Sequence, residues 1–256
     1  MAVQAEFKQL LSIMHRLRQE CPWDKKQTPH SLRQYILEEA YETVEAIDNE
    51  NWEELKKELG DMLLQIVFQA EIAVEKERFN LEQVVRHINE KLIRRHPHVF
   101  GDVTVSDDKE VKNNWEQIKI NEENRQSVLD GVPRHLSALL RAQRLQDKAA
   151  NVGFDWPEAS GVIEKLKEEV QELELAISQN NPEELENELG DILFSLVNLA
   201  RFHQFNAEDA LRSTINKFIA RFQYIEQKLK ENSKSIHHSS LEEMDRLWEE
   251  SKSHLK

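Results

Sequence analysis

Along most of the chain apolar residues recur every three or four positions, and almost nowhere every second one. Between Leu32 and Ile47 an apolar seam runs through 32, 35, 36, 40, 43, 44 and 47, the stripe of an amphipathic helix. Leu55, Leu59, Met62, Ile66 and Phe68 continue the same periodicity. Six Gly and six Pro leave little to interrupt helices, so the pattern predicts an all-α protein. Thr28-Pro29 reads as a cap and first helical position. Asn51-Trp52-Glu53-Glu54 and Asn181-Pro182-Glu183-Glu184 read as matching N-caps with Glu at the third helical position. The loops before them are short, which predicts an antiparallel helical hairpin in each half.

The helical pattern is printed twice. Glu39, Glu42, Glu58 and Asp61 recur as Glu169, Glu172, Glu188 and Asp191, each 130 positions after its counterpart. Farther on, Phe79-Asn80 matches Phe205-Asn206, Lys91 and Arg95 match Lys217 and Arg221, and Trp115 and Lys119 match Trp248 and Lys252. A duplication of this extent predicts two tandem helical-bundle domains, over 1–125 and 126–256, with Gly131-Val132-Pro133 near the entry to the second. The polar stretch from 101 to 112 is expected to be mobile.

The repeated acids carry the chemistry. Two carboxylates three apart on a helix project from neighbouring turns of one face, close enough to repel each other or to share a cation. Glu39 and Glu42 lie within or against the apolar seam, and Glu58 and Asp61 are bracketed by apolar residues, whereas Glu38 and Glu45 sit farther round where water reaches them. Solvated decoration explains Glu53, Glu54, Glu183 and Glu184, but it gives no reason for four acids to keep register across a duplication. Oxygen donors with no Cys or His ligand nearby favour Mg²⁺, with Mn²⁺ as its substitute. A di-iron bundle requires Glu-x-x-His on two helices, and no His here has Glu three positions before it. The Lys and Arg pairs, read alone, are a solvated face; repeated downstream of an acid cluster, they suit the phosphates of a metal-bound polyphosphate. Trp115 and Trp248 read either as core anchors or as rings that stack a base. His96 and His98 lack a third ligand and flank a turn at Pro97.

A net charge of −14 argues against a nucleic-acid partner. No apolar run approaches the roughly 18 residues of a membrane span, and the N-terminus lacks a signal-peptide layout. The single cysteine, Cys21, permits no internal disulfide and fits a cytoplasmic protein in which it packs rather than reacts. The apolar runs Leu63-Leu64-Gln65-Ile66-Val67 and Leu193-Phe194-Ser195-Leu196-Val197 give each hairpin a second apolar edge, which predicts a homodimer.

Cys21-Pro22-Trp23-Asp24 with Gln27-Thr28, the doubled Glu-Glu-x-x-Glu and Glu-Leu-Gly-Asp, Arg95-His96-Pro97-His98-Val99-Phe100 and Asn151-Val152-Gly153-Phe154-Asp155-Trp156 occur in order over nearly the full length. In these motifs the chain resembles the MazG nucleoside triphosphate pyrophosphohydrolases of bacteria, in their two-repeat form. The resemblance implies Mg²⁺-dependent hydrolysis of a nucleoside triphosphate to the monophosphate and pyrophosphate, in house-cleaning or nucleotide-pool control, on an all-α scaffold that dimerises. It implies metal ligands at Glu169, Glu172, Glu188 and Asp191, with Glu39, Glu42, Glu58 and Asp61 as first-half equivalents. Lys165, Glu168, Lys217, Arg221 and Trp248, with Lys252, would contact the nucleotide or its phosphates, and Glu168 or Glu169 would take the proton of the attacking water. Lys165 corresponds to Tyr35 in the first half, which supplies no charge, in keeping with a family in which the second repeat is commonly the active one. The alternative is a noncatalytic nucleotide-binding or regulatory helical adaptor.

Overall fold

The computed structural model describes residues 2–107, 110–111, 114–115, 118 and 127–254. Lys119, part of the polar stretch (108, 109 and 112) and the expected domain boundary at 125/126 lie outside the described residues. Among the described residues all regular structure is helical. The chain divides into two compact units, Met1–Trp115 and Glu116–Lys256.

In the first unit, α1 (Ala2–Glu20) is followed by α2 (Arg33–Asp48), α3 (Trp52–Glu75), α4 (Leu81–Arg95) and the single turn α5 (Pro97–Phe100). The hairpin of α2 and α3 is its frame, and α1 lies along α3. Met14, Leu32, Val67, Phe68 and Ile72 meet where these helices converge, with Leu10, Leu11, Tyr35, Leu64 and Leu81 packed around them. Arg18 is buried at the edge of this core, where its Nε donates to Glu75 (2.7 Å) and its Nη1 to the backbone oxygen of Gln27 (3.2 Å). It thereby ties α1 and the turn after it to the end of α3.

In the second unit, α6 (Ala138–Ala150) packs on the hairpin of α7 (Ala159–Ser178) and α8 (Pro182–Phe202), and α9 (Ala207–Glu231) pairs with α10 (Leu241–His254). Ile225, Leu229 and Leu247 form the α9–α10 core. Gln143 on α6 bridges the end of α8 and the start of α9, donating to the Phe205 oxygen (3.2 Å) and accepting from the Ala207 amide (3.1 Å).

Local rules set the helix starts. Asn51 accepts from the Glu54 amide, Asn181 from that of Glu184, Asn80 forms a reciprocal box with Gln83, and Asn206 caps α9. Each hairpin turns through a non-glycine residue in the left-handed region, Glu50 (φ 50°) and Asn180 (φ 51°), again 130 positions apart. Thr28 does not open α2. Its hydroxyl accepts from the Ser31 amide and the Ser31 hydroxyl from the Thr28 amide, which closes a separate turn, and α2 starts at Arg33 with no side-chain cap. The reciprocal Thr28–Ser31 pairing spends the capping groups locally.

Candidate metal and phosphate site

The α7–α8 hairpin presents its acids to one another. Carboxylate oxygens of Glu169, Glu172 and Glu188 all lie within 4.8 Å of one another; in the first unit the corresponding group is Glu39, Glu58 and Asp61. Helix geometry accounts for both sets, since the i, i+3 pair on one strand of the hairpin faces the pair on the other. Each half buries one acid outright, Glu58 or Glu169, and half-buries another, Glu39 or Glu188, while Glu42, Asp61, Glu172 and Asp191 are exposed, so the inward placement expected for all four holds for one acid of each pair. The remaining member of each tetrad, Glu42 or Asp191, stands outside the tight group yet close enough to act on it electrostatically.

Burial pushes the Glu188 carboxyl above the usual carboxylate range, and the charges of Glu172, Glu169 and Asp191 add to the effect. Its Oε2 is enclosed and has no hydrogen-bond partner. In the first unit both Glu39 and Glu58 are raised, in each case first by burial. The nearby charges of Asp61 and Glu42 raise Glu39 further, and that of Glu42 raises Glu58.

The halves differ in the cation they supply. Lys165 on α7 reaches Glu168 and Glu169, each at 2.8 Å, and its hydrogen bond to Glu168, then that to Glu169, lifts its pKa well above the lysine range. Tyr35 holds that place in the first half and packs against its core. The first-half cluster is thus left with more unrelieved repulsion.

Arg221 on α9 and Trp248 on α10 form a second group, with Lys217 one turn before Arg221 on α9. The Arg221 guanidinium lies over the Trp248 ring (5.6 Å to its centroid), and Phe218 packs against the same ring (5.4 Å). Arg95 lies over Trp115 at 5.7 Å, so the cation-on-ring pair is repeated with the acids. Lys217 is exposed, and Lys252 pairs with Glu249. Among the described residues no hydrogen bond or ion pair joins Lys217 or Arg221 to the acids. His96 caps the end of α4 through Leu92 O (2.7 Å), and neither it nor His98 belongs to a metal-sized ligand group among the described residues.

Beside the acids, a cavity of about 750 Å³ opens between α6, α7 and α8. Lys165, Glu169 and Asp191 line it on the acid side, Phe154 and Trp156 elsewhere. Arg201 on α8 holds the loop that carries these rings through Asp155 (Nη1 to Oδ2, 3.0 Å). The sequence marks this segment as a motif of the family resemblance but assigns none of its residues a part in the site. The signal was there in an Asp between two aromatic residues where α6 gives way to α7, but only the fold brings Arg201 to it.

The model of the MazG nucleotide pyrophosphohydrolase domain matches residues 27–100 and 158–225, and these two segments contain all eight repeated acids. A nucleoside triphosphate pyrophosphohydrolase/pyrophosphatase MazG of Thermotoga maritima is 45% identical over 250 residues, covering 96% of this chain and 95% of that protein. A nucleoside triphosphate pyrophosphohydrolase of Escherichia coli K12 is 43% identical over 251 residues, 95% of each chain. The crystal structure of a mazG-related protein from Thermotoga maritima aligns at 28% identity with a TM-score of 0.39, over 44% of this chain and 97% of that one.

Proposed function

The chain belongs to the MazG nucleotide pyrophosphohydrolase family, and on that premise we propose that its C-terminal unit carries the working site of a Mg²⁺-dependent nucleoside triphosphate pyrophosphohydrolase. The observation that carries the assignment is the Glu188 Oε2 atom, enclosed and unpartnered against Glu169 and Glu172. A carboxylate oxygen in that position is costly until a cation meets it, and the all-oxygen donor set fits a hard dication. Glu169, Glu172, Glu188 and Asp191 would hold it. When bound, Mg²⁺ supplies neutralisation of the charge that gathers on the phosphate oxygens.

The chain's own residues do the rest. Lys165, held by Glu168 and Glu169, is placed to exchange one of them for a phosphate oxygen. Lys217 and Arg221 offer cations for the distal phosphates, and the Trp248 ring fixes the direction of the Arg221 guanidinium. Glu168 or Glu169 takes the proton of the attacking water. Attack at the α-phosphorus, releasing pyrophosphate, follows the family, and phosphorus NMR of the products formed in ¹⁸O-water distinguishes it from β attack. The first unit, with Tyr35 in place of Lys165, serves mainly as structure. The apolar rows on α3 and α8 support a homodimer, and the single cysteine, together with the lack of any helix long and apolar enough to cross a membrane among the described residues, supports a cytoplasmic location.

Pyrophosphate release from a panel of nucleoside triphosphates, with Mg²⁺ and with chelator, tests the reading. Release should require the metal, Glu172→Ala should reduce it by about 10²–10³-fold as expected when a charge-stabilising group is lost, and Glu42→Ala should leave most of it. The reverse ranking would refute the choice of unit, and nucleotide binding without pyrophosphate release would instead fit the noncatalytic adaptor.

A further inference from the structure

Of the four C-terminal acids, Glu169 is the one that already meets a cation. Its side chain is 6% exposed, and the Lys165 ammonium, one turn earlier on α7, reaches its Oε1 at 2.8 Å. The same ammonium reaches Oε1 of Glu168 at 2.8 Å, and Glu168 is 57% exposed and outside the metal-sized group of Glu169, Glu172 and Glu188. Lys165 thus bridges a rim acid and the most enclosed acid of that group, with 38% of its own side chain open to water. Among the described residues no ion pair reaches Glu172, Glu188 or Asp191, and the charges that act most on Glu188 are all acidic. In the first half Tyr35 stands at the position of Lys165, and the group that bonds Glu39 is the uncharged amide of Gln65.

Resting on the assignment of metal-dependent triphosphate hydrolysis to this unit, we propose that Lys165 is a built-in counter-ion of Glu169 that competes with the metal, so that the C-terminal acids take up a divalent cation together with the triphosphate rather than before it. A carboxylate oxygen that accepts from an ammonium has less negative charge to give a second cation, and the ammonium itself repels a dication seated on the same carboxylate. A triphosphate changes the balance. Its oxygens give the ammonium another anion, so Lys165 keeps Glu168, leaves Glu169 and turns to the phosphate, which frees Glu169 for the metal. Metal and triphosphate then raise each other's affinity by the same factor. Without a triphosphate the ammonium compensates the enclosed charge in the metal's stead, which opposes loading by a cation that has nothing to act on. The first half has no such competitor: among the described residues no ion pair reaches Glu39, Glu58 or Asp61, so a cation there displaces no ammonium.

The test is Mn²⁺ binding to the full chain without nucleotide, followed by the electron paramagnetic resonance signal of the free ion. Glu39→Gln with Glu58→Gln, present in every protein compared, removes the first-half acids from the titration; burial already raises both carboxyls, so their amides suit the fold. This parent is compared with Lys165→Met, which keeps a good helix former without the charge, and with Lys165→Arg, which keeps the charge. Lys165→Met should bind Mn²⁺ about 10-fold more tightly than the parent, a modest share of the repulsion between a dication and an ammonium a few ångströms apart even at an effective dielectric constant of about 20. Lys165→Arg should stay at the parent's value. Adding α,β-methylene ATP, which keeps the triphosphate and resists cleavage, should tighten the protein's hold on Mn²⁺ in the parent by on the order of 10-fold more than in Lys165→Met, once the Mn²⁺ held by the nucleotide itself is subtracted. Mn²⁺ bound by Lys165→Met no more tightly than by the parent would mean that Lys165 orients Glu169 for the metal, and it overturns the competition alone, since pyrophosphate release by the wild type would stand. Equal tightening in Lys165→Arg also overturns it, because the charge would not be the cause. A wild type that releases no pyrophosphate from any nucleoside triphosphate, with Mg²⁺ or Mn²⁺, overturns the proposed function and this inference with it.

Discussion

Arg18 shows what one side chain does when a helical unit must hold its first helix. Its guanidinium is nearly enclosed (6% side-chain exposure), whereas the Glu75 carboxylate it meets is 40% exposed. The hydrogen bond from Arg18 holds the Glu75 carboxyl below its ordinary value of 4.5. A carboxylate with a depressed native pKa contributes stability that is present above the unfolded value and is lost as pH falls through the native one. Arg18→Ala should therefore destabilise the first unit at pH 7. A fully enclosed pair broken on one side costs about 3–5 kcal/mol, but water screens Glu75, so the loss should be nearer about 2 kcal/mol. Urea denaturation at pH 7 and at pH 3.5 checks this: the gap between wild type and variant should shrink in acid, and an equal gap at both values would show that lost packing, not the pair, is responsible. Neither Arg18 nor Gln146 was legible in the sequence as more than a helical position, because the partners of both, Glu75 and the Phe194 carbonyl, are supplied by another helix. The acids were legible because their i, i+3 spacing and their repetition are themselves local facts.

The helix starts at Asn51 and Asn181 were readable for the same reason, and those at Asn80 and Asn206, given in the sequence only as matching positions, follow the same local rule. Asn51, Asn80, Asn181 and Asn206 each bond an amide two or three residues ahead, a contact that needs no tertiary structure. Thr28 failed because Ser31 competed for its capping groups within the same four residues. The start of α7 hides a tertiary constraint of another kind. A Cβ on Gly161 would sit 2.6 Å from Cε3 of the Trp156 indole, so this glycine makes room for the ring against the helix. Gly161→Ala sets two effects against each other. Alanine improves helix propensity by about 1 kcal/mol, and the indole must move. Trp156 is 45% exposed and can swing outward, so the variant should stay within about 1 kcal/mol of wild type, or within about 4 °C in melting temperature. The 5-fluorotryptophan resonance of Trp156 should shift nonetheless. A resonance left in place would show that the ring tolerates the added methyl, and a large loss of melting temperature would mean that the ring is locked.

At the scale of the molecule, the apolar rows on the hairpins remain to be covered. Leu63 and Ile66 on α3, and Leu193 (47% exposed) and Leu196 (44%) on α8, 130 positions later, point away from the cores that bury Val67 and Val197. An apolar pattern on the outside of both repeats calls for a cover, and a second copy of the chain is the partner that the homodimer proposal names. Charge opposes that pairing, since each chain carries −14. Screening shortens from about 10 Å at 0.1 M salt to about 3 Å at 1 M, while apolar burial keeps its strength. The dimer should accordingly tighten as salt rises. Sedimentation at micromolar concentration should give twice the 30.2 kDa chain mass, with a dissociation constant that falls between 0.1 and about 0.5 M NaCl as the Debye length shortens. The double variant Leu193→Lys, Leu196→Lys alters side chains that already face water and so should fold, but it should sediment as a monomer. A wild type that stays monomeric, or a dimer that dissociates as salt is added, would mean that these rows are not what joins two chains.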